Sequence, residues 1–98
     1  MAYVAPSGAR SSEQAPRYDL IPREALRREA ARMAEGAAKH GENNYQLGKG
    51  DEAYKKERLN HVLEHLLWYV FGDRIDDHLA VVRANCGMLI WLETHDGH

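Results

Sequence analysis

The chain has 98 residues, 13 basic against 15 acidic side chains, a net charge of −2, one cysteine and 44% hydrophobic content. A chain this short buries only about 60–65% of its unfolded surface, so its core is small and self-association is a common remedy. The near-neutral balance argues against a dedicated nucleic-acid binder, no run approaches the roughly 18 apolar residues of a membrane span, and Cys86 alone makes no intrachain disulfide.

Residues 1–16 mix Gly, Ser, Ala and Pro without periodicity and read as a flexible arm with no basic-then-apolar leader, so a cytoplasmic address is expected. Arg17 to Pro22 is too short for a helix and suggests an extended lead-in, with Pro22 suited to a first helical turn. Leu26, Ala30, Met33 and Ala37 then form a thin apolar stripe, predicting a first helix to about Lys39 that stops at Gly41. Residues 41–50 hold glycines and asparagines and form a loop. Asp51 is placed to cap a second helix from about Glu52 to Phe71, ended by Gly72. A third helix is expected from about Ile75 to Thr94, capped by Asp73 or Asp76. The class is all-α: a small three-helix domain over residues 17–94, its last two helices a hairpin, followed by a short tail at 95–98.

On the second helix Leu59, Val62, Leu63, Leu66 and Val70 read as the core face, with His61, Glu64, His65 and Trp68 opposite. The third helix has two apolar faces: Leu79, Val82, Cys86, Leu89 and Ile90 on one, Val81, Met88 and Leu92 on the other. A three-helix monomer gives a helix one core to bury, so two such faces point to a homo-oligomer. The alternative is a bundle with the third helix central.

Three segments carry chemistry. His61 and His65 sit one turn apart, able to grip one metal ion with Glu64 beside them. The pattern H-x-x-E-H also marks inverted zinc proteases, but this chain has no room for their substrate cleft. Alternatively, two solvated histidines on a polar face explain it. The second segment, Asp73 to His78, gathers three carboxylates and an imidazole. One or two suit a helix N-terminus, but three repel unless a cation or basic partner compensates. The hairpin brings His65 toward Asp77 and His78. Such a mixed donor set suits Mn, Fe or Zn, and the carboxylates alone suit Mg. The third segment, Gly36 to Tyr45, combines small residues for close approach, Lys39 as a point charge for phosphate, and Asn44 with Tyr45 for hydrogen bonding and stacking. On composition alone an ordinary helix end followed by a polar turn is the better reading.

Taken in order, Arg17-Tyr18-Asp19-Leu20-Ile21-Pro22, then Gly36-Ala37-x-Lys39-x-Gly41-x-x-Asn44-Tyr45-x-x-Gly48, then His65-Leu66-x-x-Tyr69-x-x-Gly72, then Asp77-His78-Leu79-Ala80 with Asn85 downstream form a series. It resembles the phage dATP/dGTP diphosphohydrolase N-terminal domain family over about residues 17–93. The resemblance implies kinship with the all-α, MazG-like nucleotide pyrophosphohydrolases, which are metal-dependent helical oligomers. Those enzymes carry E-x-x-E and E-x-x-D pairs, for which only Glu64 and the Asp73–Asp77 cluster stand in here. The activity expected is metal-dependent hydrolysis of a purine deoxynucleoside triphosphate to monophosphate and pyrophosphate. His61, His65, Asp77 and His78 would position a divalent metal, Mg or Mn first and Fe or Zn second. Glu64, His65 and Asp77 would serve catalysis, and Arg17, Lys39, Asn44 and Tyr45 would hold the nucleotide. The alternatives are a non-catalytic protein that sequesters a nucleotide, and a helical interaction module with incidental histidines.

Overall fold

The computed structural model describes residues 3–11 and 15–96. Three helices carry the fold: α1 (Arg23–His40), α2 (Glu52–Val70) and α3 (His78–His95). The architecture is all-α apart from one minimal pairing in the N-terminal arm, β1 (Tyr3–Val4) antiparallel to β2 (Arg10–Ser11). That hairpin closes through Ala5 N–H on Ala9 O at 2.7 Å and Gly8 N–H on Ala5 O at 2.8 Å. Its Pro6-Ser7-Gly8 centre is turn chemistry that a reading of the arm as unstructured overlooks. Residues 1–2 and 12–14 of the expected arm and 97–98 of the expected tail lie outside the described residues. Among the described residues no helix is long and apolar enough to cross a membrane.

The helix boundaries follow local signals. Asp51 accepts the Tyr54 N–H at 3.0 Å and caps α2, as expected. Gly72, at φ 92°, ends the α2 segment in the left-handed region that L side chains avoid. The expected extended lead-in is instead a 3-10 turn at Tyr18–Leu20. Part of the 41–50 loop is also 3-10, at Asn44–Gly48. The start of α3 lies three residues later than expected, because Asp77 is the cap and accepts the Ala80 N–H at 3.3 Å. Asp73 and Asp76 bond instead to the N–H groups of Ile75 and Asp77, both at 2.8 Å, and hold the turn before the helix.

α3 is the central helix. It packs against both α1 and α2, which hardly touch each other. The buried apolar side chains are Val62, Ala80, Val81, Ala84 and Leu92, joined by His65, His78 and Asn85. The face of α2 turned inward is therefore the one carrying His65 and Val62. Leu59, Leu63, Leu66 and Val70, expected in the core, are exposed. The inward face of α1 is likewise rotated from the expected stripe: Leu26 and Ala30 are exposed, while Ala25, Glu29, Met33 and Ala37 are half-buried. Glu29 is drawn in by Arg83 of α3, at 3.0 Å. Asp96, read as tail, ties the end of α3 to the start of α2 by accepting from Gly50 N–H at 2.6 Å and pairing with Lys55.

Candidate functional site

Because α1 and α2 lean on α3 from two sides without meeting, a cleft opens between them, with a volume of about 580 Å3. That size falls in the range of small-molecule sites. Its floor is Ala84, Asn85 and Met88 of α3, and one end is closed by the 3-10 segment. Lys39, Asn44 and Tyr45, all expected to hold a nucleotide, line it. Two guanidinium groups join them, Arg32 from α1 and Arg58 from α2. Arg32 is paired with Glu35 at 3.0 Å and Arg58 with Glu57 at 2.7 Å. Tyr45 is held edge-on against Trp91, with centroids 5.7 Å apart, so its ring is oriented before any ligand enters. At the base of the segment Gly48 is buried against Tyr54, leaving no room for a side chain. Asn85 donates from Nδ2 to Val81 O at 2.9 Å, while its Oδ1 is enclosed without a partner. Arg17 is not part of this cleft. It is exposed and forms a two-bond pair with Asp19, at 2.7 and 2.8 Å, within the 3-10 turn.

A row of histidines leads inward from the cleft wall. His61 lines the cleft, and its ring lies 4.5 Å from that of His65, which lies 5.0 Å from that of His78. His65 and His78 are almost wholly buried, and Trp68 covers both rings at 5.4 and 5.6 Å. Their Nδ1 atoms stand 2.7 Å apart, so one donates and the other accepts. His78 Nε2 is enclosed without a hydrogen bond, 3.4 Å from Asp73 Oδ1. Burial lowers the pKa of His65, helped by positive charge on His61 or His78, and burial lowers that of His61 as well. Both rings are thus biased toward the neutral form that metal ligation requires.

Donor atoms of His65, Asp76 and His78 all lie within 4.8 Å of one another. Three convergent donors, two of them on buried rings, fit a divalent cation. Asp77, expected in this set, is turned away. Both its oxygens accept from Arg28, at 2.5 and 2.8 Å, and that guanidinium, above all, holds its carboxyl below the usual range. Asp76 stands in its place. Glu64 is exposed and lines neither the cleft nor the smaller cavity of about 340 Å3 beside Asp76 and His78. His61 belongs to the cleft wall and lies outside the three-donor group.

Arg32 and Arg58 escape a motif-based reading, although spacing carries a trace of each, whereas Asn85 closes the ordered series read from the sequence. Arg32 is one and two turns before Gly36 and Lys39, Arg58 is one turn before His61, and Asn85 is two turns after His78.

Compared with known proteins, residues 5–98 match the family described as dATP/dGTP diphosphohydrolase, N-terminal. No curated protein and no solved structure matches.

Proposed function

Because the chain belongs to the dATP/dGTP diphosphohydrolase N-terminal family, we propose that the cleft binds a purine deoxynucleoside triphosphate and cleaves it to the monophosphate and pyrophosphate. The observation that carries this reading is one cleft lined by three cationic side chains, Arg32, Lys39 and Arg58, together with the oriented ring of Tyr45 and the histidine His61. Guanidinium and ammonium groups bind phosphate oxygens, and a fixed aromatic ring accepts a purine face. Asn44 supplies donors and an acceptor to the sugar or base.

A borderline divalent cation, Mn, Fe or Zn, suits the imidazole and carboxylate donors of His65, Asp76 and His78, which stand behind His61 and outside the cleft lining; bound there it would acidify a water. The remaining chemistry belongs to the chain. Lys39, Arg32 and Arg58 hold the triphosphate so that the α-phosphorus faces a water beside His61. The water oxygen bonds to that phosphorus as the bond to the bridging oxygen breaks, and the bridging oxygen leaves with pyrophosphate. The displaced proton passes to a ring nitrogen of His61 on the cleft wall. Asp77 positions the start of α3 through Arg28 rather than touching substrate.

Purified protein incubated with dATP or dGTP and Mn should yield the monophosphate and pyrophosphate. Substituting Lys39→Ala or Arg58→Ala should raise KM about tenfold or more, as expected for a lost charge-assisted hydrogen bond of about 1.5–3 kcal/mol. His65→Ala should abolish turnover while leaving nucleotide binding measurable. A second reading, a protein that holds the nucleotide without cleaving it, draws support from the carboxylates lining the cleft: among the described residues they are Glu35, already paired with Arg32, and Glu42. Nucleotide recovered intact from a tight complex favours that reading. Neither binding nor turnover sinks both.

A further inference from the structure

The two ring nitrogens of His78 face different partners. Nδ1 stands 2.7 Å from Nδ1 of His65, and Nε2 lies 3.4 Å from Asp73 Oδ1. The residue is 2% exposed, and among the described residues Nε2 is enclosed without a hydrogen-bond partner. A neutral imidazole carries one proton, on one nitrogen or the other. With the proton on Nδ1, the Nε2 lone pair would point at a carboxylate oxygen, two acceptors face to face. With the proton on Nε2, an N–H points at that oxygen instead, and the buried setting strengthens the attraction. The carboxylate therefore selects the second form. His78 then accepts at Nδ1, which makes His65 the donor of the 2.7 Å bond.

We propose that Asp73 is a positioning residue, which fixes the proton of His78 on Nε2 and so presents the Nδ1 lone pair to a divalent cation shared with His65 and Asp76. Donor atoms of those three residues lie within 4.8 Å of one another, and Asp73 is not among them. Its place is behind the ring: which nitrogen of a histidine takes a metal is set by the hydrogen bond the other one makes. Ligating histidines generally donate that other N–H to a carboxylate, which fixes the ring and raises the basicity of the ligating nitrogen. Little movement is required, since an ion held by both rings at about 2.0–2.1 Å needs the two Nδ1 atoms roughly 3 Å apart. His65 would lose its Nδ1 proton to solvent and take one at Nε2, so the ion changes the tautomer of His65 and leaves that of His78 as it was.

The carboxylate is itself held. Oδ1 also accepts the Ile75 N–H at 2.8 Å, and the Asp73 N–H bonds to Trp68 O at 3.0 Å. Arg74 lies over the Tyr69 ring and donates to Tyr69 O and Asp73 O at 2.9 and 2.8 Å. These bonds tie Asp73 to the end of α2, the helix that carries His65. The inference rests on the cation group of the proposed function and not on what the cleft binds.

Long-range nitrogen–proton NMR of histidine-labelled protein, at a pH where both rings are neutral, reads each tautomer, and a Zn titration by calorimetry reads affinity. His78 should be protonated at Nε2 with or without Zn, while His65 shifts from Nδ1 to Nε2 when Zn is added. Asp73→Ala should mix the two forms of His78 and weaken Zn binding about 10–100-fold. Asp73→Ser keeps an oxygen for the Ile75 N–H but does not extend to His78, and should behave like Asp73→Ala. Asp73→Asn keeps an oxygen for both partners and should restore the tautomer and most of the affinity, which a role in the turn alone does not predict. A metal-free His78 protonated at Nδ1, or a tautomer unmoved in Asp73→Ser, overturns the proposal. Wild-type protein that binds no Zn overturns it together with the His65–Asp76–His78 donor set, and dGTP binding by that same protein would leave the reading of the cleft standing.

Discussion

Two buried imidazoles, His65 and His78, hold their Nδ1 atoms 2.7 Å apart, one donating to the other. This pair, with Asp76, is where a divalent cation should act on the isolated protein. A cation that binds only the folded state stabilises it by ~2.7 kcal/mol at 100-fold its Kd. Adding Mn or Zn should raise Tm of the wild type, and a chelator should reverse the rise. His78→Asn should lose most of that response, whereas Asp77→Asn should keep it, since Asp77 faces Arg28. An equal response in both variants would exclude the His65–Asp76–His78 donor set. Gly48 makes a separate residue-scale point. A methyl group there runs into the Tyr54 ring, which lines the cleft. Gly48→Ala should therefore cost about 1–3 kcal/mol by overpacking and weaken nucleotide binding together with stability. Urea unfolding and a binding titration on the same preparation test both halves.

Among the elements, α2 divides cleanly between what sequence makes legible and what it leaves hidden. Its cap at Asp51 and its stop at Gly72 are local signals, each readable within a few residues, and both stand in the structure. Asp51→Ala should cost about 1 kcal/mol in urea unfolding, through the unmet Tyr54 N–H. Which face turns inward is not local. Counting aliphatic side chains selects Leu59, Leu63, Leu66 and Val70, yet α3 presents His78 and Asn85, so the partner face of α2 is the one with His65. The start of α3 shows the same limit. Three aspartates compete to cap it, and only the position of Arg28, 49 residues earlier, singles out Asp77. A pair of truncations reads the outcome directly. Leu92→Ala, at a wholly buried site, should cost about 2–5 kcal/mol. Leu63→Ala, at an exposed site of α2, should change unfolding by less than about 0.5 kcal/mol.

For the molecule as a whole, the contacts that set its geometry join distant positions: Arg28 with Asp77, Glu29 with Arg83, and Lys55 with Asp96. Each places one helix on another, and none lies within a single motif. The cleft is a product of how α1 and α2 pack on α3, so its residue types are legible from sequence while their assembly is not. Lys39, Asn44 and Tyr45 fall within one segment and are found by its chemistry; Arg32 and Arg58 come from two helices and meet only after folding. The same geometry has a mechanical side. α1 and α2 are two arms on one spindle with almost nothing between them, so the width of the gap is set by how firmly each arm is clamped to α3. A triphosphate gripped by Arg32 from one arm and Arg58 from the other would act as the missing crossbar. Amide exchange along α1 should then slow when nucleotide is added, although no new contact forms between the arms.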